Sequence, residues 1–284
     1  MSRNATRFQK VLMSWVYRGK ELFKPLNTGT IDEHVTCVRE YVANIFFYTK
    51  NSTTIMIDAG YNYDYLQEKM DWLGIDPQDI QHVLITHQDT DYVGAIEADS
   101  NQLFSHARVY ENRYLTGEVR RRVMNGWYKV PKVTIPNKKK LLHDGEVFEI
   151  DDIKIETILV PGHTWGHVVY LIDDEYLFTG DTIWFGADGG YSFINKLAED
   201  NQLAVESLAK LEKILRQREL NPKIFTAHTG WTDSLDFAFA HTGEVCNANK
   251  PVKVHDPKAP YDAYDERDDT RESAVSIPLL PCNR

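Results

Sequence analysis

The chain has 284 residues, of which 42% are hydrophobic and 12% aromatic, which supports a packed core and excludes a disordered or collagen-like chain. Its 42 acidic side chains outnumber its 32 basic ones, and the resulting net charge of −10 disfavours nucleic acid as a partner. The three cysteines have no C-x-x-C spacing, and no run approaches the roughly 20 apolar residues of a membrane span, so we expect a soluble cytoplasmic protein without a membrane partner.

The first half of the chain alternates predicted strands with short helices. Leu66, Met70 and Leu73 share one helical face and predict a helix, and a second short helix is expected over 94–98. The polar stretch 113–140 is rich in arginine and lysine and is expected to project from the core as a basic insert. Predicted strands, rich in β-branched and aromatic residues, occupy residues 41–48, 53–57, 83–86 and 107–110.

The second half repeats the pattern and ends in a polar tail. Leucines spaced along residues 201–218 predict a long amphipathic helix, and the glycine-rich aromatic segment 184–191 is expected to be a loop that walls a pocket or packs beneath it. Residues 1–248 are expected to form one domain, and 249–284 a charged C-terminal tail that is exposed or wraps a second subunit of a homo-oligomer. Predicted strands occupy residues 147–150, 153–160, 168–172, 176–179 and 223–227.

Histidine and aspartate side chains follow four of the predicted strands, where loops present functional groups on a rigid scaffold. The four segments are THQDTDY at 86–92, GHTWGH at 162–167, GDT at 180–182 and AHTG at 227–230. Imidazoles and carboxylates at such a rim suit two divalent ions held close together. The order and spacing resemble the metallo-β-lactamase superfamily, whose pattern is H-x-H-x-D-H, then G-H-T, then G-D, then a final histidine. The resemblance covers about residues 35 to 245.

The resemblance implies an α/β fold, a four-layer αββα sandwich of two mixed β-sheets flanked by helices, with the metal site at one edge between the sheets. It implies two divalent metal ions, zinc first, with iron or manganese as alternatives. It also implies that Asp58, at the end of the opening hairpin, orients a ligand histidine. One ion would be held by His87, Asp89 and His163, and the other by Asp91 and His228, with Asp181 bridging.

This sequence departs from the family pattern at two positions of the first motif. Asp89 stands where the pattern has histidine, and its hard anionic oxygen is the reason that iron or manganese compete with zinc. Tyr92 also replaces a histidine, and because a phenol with a pKa of about 10 is a poor ligand, we expect it to act on substrate or bound water. His167 follows His163 by four residues and is expected either to move a proton in the site or to pack behind it.

The function implied is that of a metal-dependent hydrolase acting on a small-molecule substrate. A metal-bound hydroxide would attack an ester, lactone, thioester or phosphodiester, with Asp91, Tyr92 and His167 as the candidate catalytic residues. Two alternatives stay open. One is a diiron-type oxidoreductase that acts on oxygen or nitric oxide, because the family also contains diiron proteins with a carboxylate at the position of Asp89. The other is a non-catalytic member of the fold that binds a metal ion or ligand.

Overall fold

The structure is a computed structural model. It describes residues 22–40, 42–60, 65–98, 103–114, 122–124, 128–130, 133–249 and 252–264. Within these ranges no helix has both the length and the apolar character needed to cross a membrane.

Seven strands form the first mixed sheet, in the order β1-β2-β3-β4-β5-β6-β9. The pairs β1–β2, β2–β3 and β3–β4 are antiparallel, whereas β4, β5, β6 and β9 run parallel to one another, so the carboxyl ends of these four strands meet at one edge. The strands are β1 (Gly29–Thr30), β2 (Val35–Glu40), β3 (Ala43–Lys50), β4 (Thr53–Ile57), β5 (His82–Leu84), β6 (Arg108–Asn112) and β9 (Lys139–Leu142). Between β6 and β9, β7 (Arg122–Met124) and β8 (Tyr128–Val130) pair as a separate ribbon.

Six strands form the second sheet, in the order β10-β11-β12-β13-β16-β17, and three strands form a small third sheet, in the order β14-β15-β18. The second sheet contains β10 (Val147–Ile150), β11 (Ile153–Leu159), β12 (Val168–Ile172), β13 (Tyr176–Phe178), β16 (Lys223–Thr226) and β17 (Gly230–Thr232). The third contains β14 (Ile183–Gly186), β15 (Gly189–Ser192) and β18 (His241–Val245). Because β13 and β16 are parallel, the residues that follow them, Asp181 and His228, lie at one edge of this sheet.

Helices cover the outer faces of the two large sheets. Helix α1 (Tyr65–Trp72) buries Leu66 and Met70 against the first sheet. Helix α3 (Asn201–Gln217) begins at Asp200, whose carboxylate accepts a hydrogen bond from the Leu203 amide, and buries its leucine stripe against the second sheet. The short helices are α2 (Thr90–Val93) and α4 (Leu235–Ala238), and 3₁₀ turns lie at Pro77–Asp79 and Gly94–Ile96.

The two large sheets pack face to face through an aromatic core. Phe46 of the first sheet meets Phe178 and Phe225 of the second at ring centroid distances of 5.5 Å. Residues on one face of each sheet therefore fill the space between the sheets, while residues on the other face meet helices. The order of layers is helix, sheet, sheet, helix, which confirms the expected αββα sandwich.

A polar cluster centred on Asp173 joins the two large sheets at the carboxyl end of β3. The Asp173 carboxylate accepts hydrogen bonds from the Tyr48 hydroxyl at 2.8 Å, the Lys50 ammonium at 2.9 Å and the Lys154 amide at 2.9 Å. Burial acts to raise the pKa of Asp173, but these donors outweigh it and lower the pKa below its ordinary value.

Two sequence predictions differ from the structure. The segment 184–191 is not a loop but the β14–β15 hairpin, in which Trp184 and Phe185 are fully buried, because the small glycines let the two strands pack tightly on helix α4. The basic insert, expected to extend to residue 140, ends before Lys139, since Lys139–Leu142 pairs with β6 inside the first sheet. Residues 115–121, 125–127 and 131–132 of the predicted insert lie outside the described residues.

The described part of the predicted tail packs on its own domain. Ala263 forms a β-bridge with Gly29, and Val254 forms one with Gly186. The Tyr261 amide donates to the Thr30 carbonyl at 2.8 Å, so this segment covers the outer edge of β1. Residues 252–264 thus contact the folded domain at these points, while most of their side chains are exposed, as expected for the tail. Residues 265–284 lie outside the described residues, and a homo-oligomer built through the tail stays a prediction.

Candidate metal centre

The four motif segments converge at one edge of the sandwich, around the carboxylate of Asp181. Asp181 Oδ2 lies 3.2 Å from His163 Nε2 and 3.7 Å from His87 Nε2. Its other oxygen, Oδ1, lies 3.3 Å from His228 Nε2. One buried carboxylate therefore faces three imidazoles from three different loops, as the order of the motifs predicts.

His87, Asp89 and His163 form the first ligand set, whose donor atoms lie within 4.8 Å of one another. Asp89 Oδ2 is 3.3 Å from His163 Nε2 and 3.7 Å from His87 Nε2. His87 Nε2 is buried and has no hydrogen-bond partner among the described residues. A buried imidazole nitrogen without a partner costs free energy unless something binds it, and two imidazoles with a carboxylate are a usual donor set for zinc or iron. These residues fit a divalent ion.

A hydrogen-bonded chain behind His87 fixes the orientation of its ring. Asp58 Oδ1 accepts the Thr86 amide at 2.8 Å, and the Thr86 hydroxyl lies 3.0 Å from both oxygens of Asp58 and from His87 Nδ1. Because an ionised carboxylate only accepts, the hydroxyl donates to Asp58 and accepts the Nδ1 proton of His87, which leaves the Nε2 lone pair facing the centre. Burial raises the pKa of Asp58 to about 7.

The second set consists of Asp91, His228 and Tyr92. His228 Nδ1 donates to the Val42 carbonyl at 2.5 Å, so Nε2 faces the centre, 3.5 Å from Asp91 Oδ2. The Tyr92 hydroxyl donates to Asp181 Oδ1 at 2.5 Å and lies 3.1 Å from His228 Nε2. The side chain of Tyr92 is fully buried, so its hydroxyl is engaged by protein groups rather than pointing toward solvent.

The charges of the cluster shift the pKa values of its members in opposite directions. Burial acts to raise the pKa of Asp181, but the imidazoles of His228 and His163 outweigh it and hold that pKa well below the ordinary value. Burial acts to lower the pKa of His228, but the Asp181 and Asp91 carboxylates raise it to about 9. Burial raises the pKa of Asp91 to about 6, against the opposing effect of His228. Three carboxylates so close together favour a bound cation.

His167 packs behind the ligands instead of facing the centre. Its ring stacks on His87 with centroids 4.7 Å apart and is fully buried. Its Nε2 accepts the backbone N–H of Asp181 at 3.1 Å, which leaves the proton on Nδ1, 3.3 Å from the Thr182 hydroxyl. Both ring nitrogens are thus occupied by protein atoms. This placement favours a positioning role for His167 over proton transfer to a substrate.

The His163 loop is held tightly against helix α3. Gly162 has a φ of 144°, which side chains rarely adopt, and a Cβ there would collide with the backbone of Ala204. The amides of Glu199 and Asp200 donate to the carbonyls of His163 and Gly162 at 3.0 and 2.9 Å. The glycine of the Gly-His-Thr motif therefore allows the close approach that fixes His163.

Two features of the site are missed by the sequence reasoning. Phe193 lies edge-on to His163 at 5.0 Å and stacks on His228 at 5.7 Å, and Phe23 lies 4.4 Å from His228, all measured between ring centroids. These rings form an apolar wall beside the imidazoles. The other missed residue is Thr86, for which the available signal was a hydroxyl at a strand end directly before a candidate ligand.

Comparison with known proteins supports the assignment that the motifs suggest. The family model described as the metallo-beta-lactamase superfamily matches residues 38–240. The hydroxyacylglutathione hydrolase of Serratia proteamaculans is 33% identical over 187 residues, which are 66% of this chain and 61% of that protein. The hydroxyacylglutathione hydrolase of Buchnera aphidicola is 31% identical over 145 residues, 50% of this chain and 47% of that protein. The chain spans about half the length of the curated relatives it matches.

Solved structures share the fold at low sequence identity. A B3 metallo-β-lactamase with an active-site glutamic acid superposes with a TM-score of 0.57 at 17% identity, covering 80% of this chain and 90% of the other. A β-lactamase from Chitinophaga pinensis superposes with a TM-score of 0.54 at 22% identity, covering 74% of this chain and 81% of the other. The αββα architecture, the clustered motif residues and a family match over most of the chain lead to one conclusion: the chain belongs to the metallo-β-lactamase superfamily.

Proposed function

We propose that this protein is a metal-dependent hydrolase that cleaves thioesters of small molecules. The observation that carries the proposal is the first ligand set, in which His87, Asp89 and His163 bring their donor atoms within 4.8 Å of one another. The hydroxyacylglutathione hydrolases to which the chain is similar act, by their name, on an acyl group attached to glutathione, which is a thioester. This similarity favours a thioester over the ester, lactone and phosphodiester that the fold also accommodates.

The donor set decides which ion is proposed and what that ion contributes. His87, Asp89 and His163, with Asp181 beside them, would hold the ion. When bound, a divalent ion supplies Lewis acidity, which polarises a carbonyl oxygen and activates water at neutral pH. Zinc is the first choice because two ligands are imidazoles, and iron or manganese are the alternatives because Asp89 contributes a hard oxygen.

The protein residues hold this site in a fixed arrangement before substrate arrives. The Thr86 hydroxyl and the Val42 carbonyl fix the rings of His87 and His228 by accepting hydrogen bonds from their Nδ1 atoms. Phe193 packs beside the imidazoles and keeps water from their outer faces. Preorganisation of this kind lowers the cost of reorganising charge during the reaction.

The candidate catalytic residues have different surroundings. Asp91 Oδ2 lies 3.5 Å from His228 Nε2, and we propose Asp91 as the group that accepts the proton of the attacking water. Tyr92 donates its hydrogen bond to Asp181, so its proposed role is to hold that carboxylate rather than to contact substrate. His167, which accepts the Asp181 backbone N–H, is proposed as a positioning residue as well.

The test is thioester hydrolysis by metal-depleted and metal-restored protein. An S-(2-hydroxyacyl)glutathione is supplied as substrate, and the released thiol is measured with a chromogenic thiol reagent. We expect turnover to require zinc, manganese or iron, and to fall at least about 100-fold in His163→Ala, as for loss of a metal ligand. His106→Ala is the matched control, because His106 is exposed and lies outside the ligand sets.

Three results would contradict the proposal in distinguishable ways. Failure of the chain to bind any divalent ion would remove its basis. Full metal occupancy without turnover of thioester, ester, lactone or phosphodiester substrates would favour the non-catalytic alternative. Consumption of oxygen or nitric oxide by iron-loaded protein with an electron donor, without hydrolysis, would favour the diiron alternative.

A further inference from the structure

The Tyr92 hydroxyl lies beside two of the donor atoms that a second metal ion would use, Asp181 Oδ1 and His228 Nε2. It is 2.5 Å from Asp181 Oδ1 and 3.1 Å from His228 Nε2. The ring is fully buried, with its centroid 3.9 Å from that of His87. Its backbone is fixed as well, since the Tyr92 carbonyl accepts the Ala59 amide at 2.6 Å. The side chain is therefore held in place on both sides.

The 2.5 Å distance between the Tyr92 hydroxyl and Asp181 Oδ1 is that of a hydrogen bond, not that of two oxygens bound to one metal ion. Oxygens bound to one zinc ion at about 2.0–2.2 Å lie roughly 3 Å or more from each other. An O–H donor and a carboxylate oxygen lie about 2.5–2.7 Å apart. The hydrogen bond from Tyr92 thus occupies the Asp181 oxygen that faces the second set.

At the first ligand set, the printed contacts join the candidate ligands to one another, for example His163 Nε2 to Asp181 Oδ2 and to Asp89 Oδ2. Asp181 Oδ2, the oxygen not engaged by Tyr92, is the one that faces His163 and His87. His87 Nε2 is buried without a hydrogen-bond partner in the described part of the chain, whereas His228 Nε2 lies within hydrogen-bonding distance of the Tyr92 hydroxyl. The two halves of the centre therefore differ in one respect: a tyrosine hydroxyl lies beside the donor atoms of the second set, whereas His87 Nε2 of the first set has no hydrogen-bond partner among the described residues.

We infer that this protein holds a single divalent ion, at His87, Asp89 and His163 with Asp181, and that the Tyr92 hydroxyl stands in for the second ion. The hydroxyl donates its one proton to Asp181 Oδ1, and its oxygen lies 3.1 Å from His228 Nε2, where it can accept a hydrogen bond, so it contacts both groups that a second ion would otherwise hold through coordination. The inference rests on the proposed function only in requiring an ion at the first set. It changes the number of ions expected from the family pattern, from two to one.

The test is the metal stoichiometry of four proteins that are prepared by the same protocol. Each is stripped with a chelator, incubated with excess zinc, freed of unbound metal and analysed for zinc per chain, with the fold checked by circular dichroism. We expect about one ion in the wild type and in His228→Ala, about one in the control His106→Ala, and nearly none in His163→Ala. Two ions in the wild type, or loss of the ion in His228→Ala, would overturn the inference.

A gain-of-site variant tests the role of Tyr92 itself. Tyr92→His replaces the hydroxyl with an imidazole nitrogen beside Asp91 and His228, so we expect zinc to rise from about one to about two ions per chain. A folded variant that still binds one ion would show that the hydroxyl is not what excludes the second. Two ions in the wild type would leave the proposed hydrolase intact, whereas no ion at all would remove both proposals.

Discussion

Replacing Thr86 with valine is expected to weaken metal binding, although Thr86 is not a ligand. Valine keeps the β-branched shape of threonine and removes only the hydroxyl, which lies 3.0 Å from His87 Nδ1 and from both oxygens of Asp58. The change leaves the Nδ1 proton of His87 without an acceptor and Asp58 with its backbone donor alone. The ring of His87 is then no longer fixed in the form that presents Nε2 to the ion.

The expected magnitudes follow from the contacts that are lost. Loss of a partner that orients a ligand histidine typically lowers metal affinity about 10–100-fold, or about 1.4–2.7 kcal/mol. Loss of a hydrogen bond to a buried charged carboxylate lowers the free energy of unfolding of the metal-free protein by about 1.5–3 kcal/mol. Zinc Kd is measured by competition with a chelating dye, and unfolding by urea in the presence of a chelator.

Thr157→Val is the matched control for this experiment. Thr157 is also fully buried, but its hydroxyl has no hydrogen-bond partner among the described residues and it lies on β11, outside the ligand sets. Its replacement is expected to leave zinc Kd unchanged. The free energy of unfolding is expected to fall by no more than about 0.5 kcal/mol, or to rise. Equal zinc Kd values for Thr86→Val and the wild type would refute the argument that the hydroxyl orients His87.

Three further predictions concern the ion, the His163 loop and the link between the sheets. Asp89→His is expected to shift competition between zinc and manganese toward zinc by at least about 10-fold, since imidazole is the softer ligand, and an unchanged ratio would contradict the hard-site argument. Gly162→Ala is expected to lower the free energy of unfolding by about 2–4 kcal/mol, because residue 162 has a positive φ and an alanine Cβ there would meet the backbone of helix α3. In the control Gly243→Ala the new Cβ faces open space, and the free energy of unfolding is expected to fall by less than about 1 kcal/mol. Asp173→Asn is expected to lower the free energy of unfolding by about 1–3 kcal/mol at pH 7. Because the pKa of Asp173 is lowered in the folded protein, its carboxylate stabilises the protein above the unfolded pKa of about 3.9. The difference in urea unfolding between variant and wild type is therefore expected to shrink as the pH falls below that value.

The proximity of His87, Asp181 and His228 was predictable because each follows a strand that is parallel to a neighbour, and the ends of parallel strands meet at one edge of a sheet. His163 follows β11, which runs in the same direction as β13 because both are antiparallel to β12. Motif order along the chain is enough to place such residues together once the sandwich is assumed. Their role as metal ligands stays a prediction. The αββα fold was predictable because the four motifs resemble those of the metallo-β-lactamase superfamily, and that resemblance implies the fold.

The arrangement around Tyr92 could not be read from the sequence, because it depends on a distance between residues 89 positions apart. The motif shows only that a phenol replaces an imidazole, not that its hydroxyl reaches Asp181. The β14–β15 hairpin was missed because glycine is depleted in strands, and only the packing of Gly190 on helix α4 explains its presence there. Likewise, a polar sequence alone does not reveal that residues 261–264 pair with β1.

The contact between residues 261–264 and β1 has a consequence for the order in which the protein folds during synthesis. Strand β1 lies at the edge of the first sheet. The carbonyl of Thr30, and that of Thr28 directly before the strand, accept hydrogen bonds from the amides of Tyr261 and Tyr264. Among the described residues, the segment that pairs with this edge is made more than 230 residues later in synthesis. A nascent or C-terminally shortened chain would therefore present an unpaired β-edge to other chains, which is a known route to aggregation.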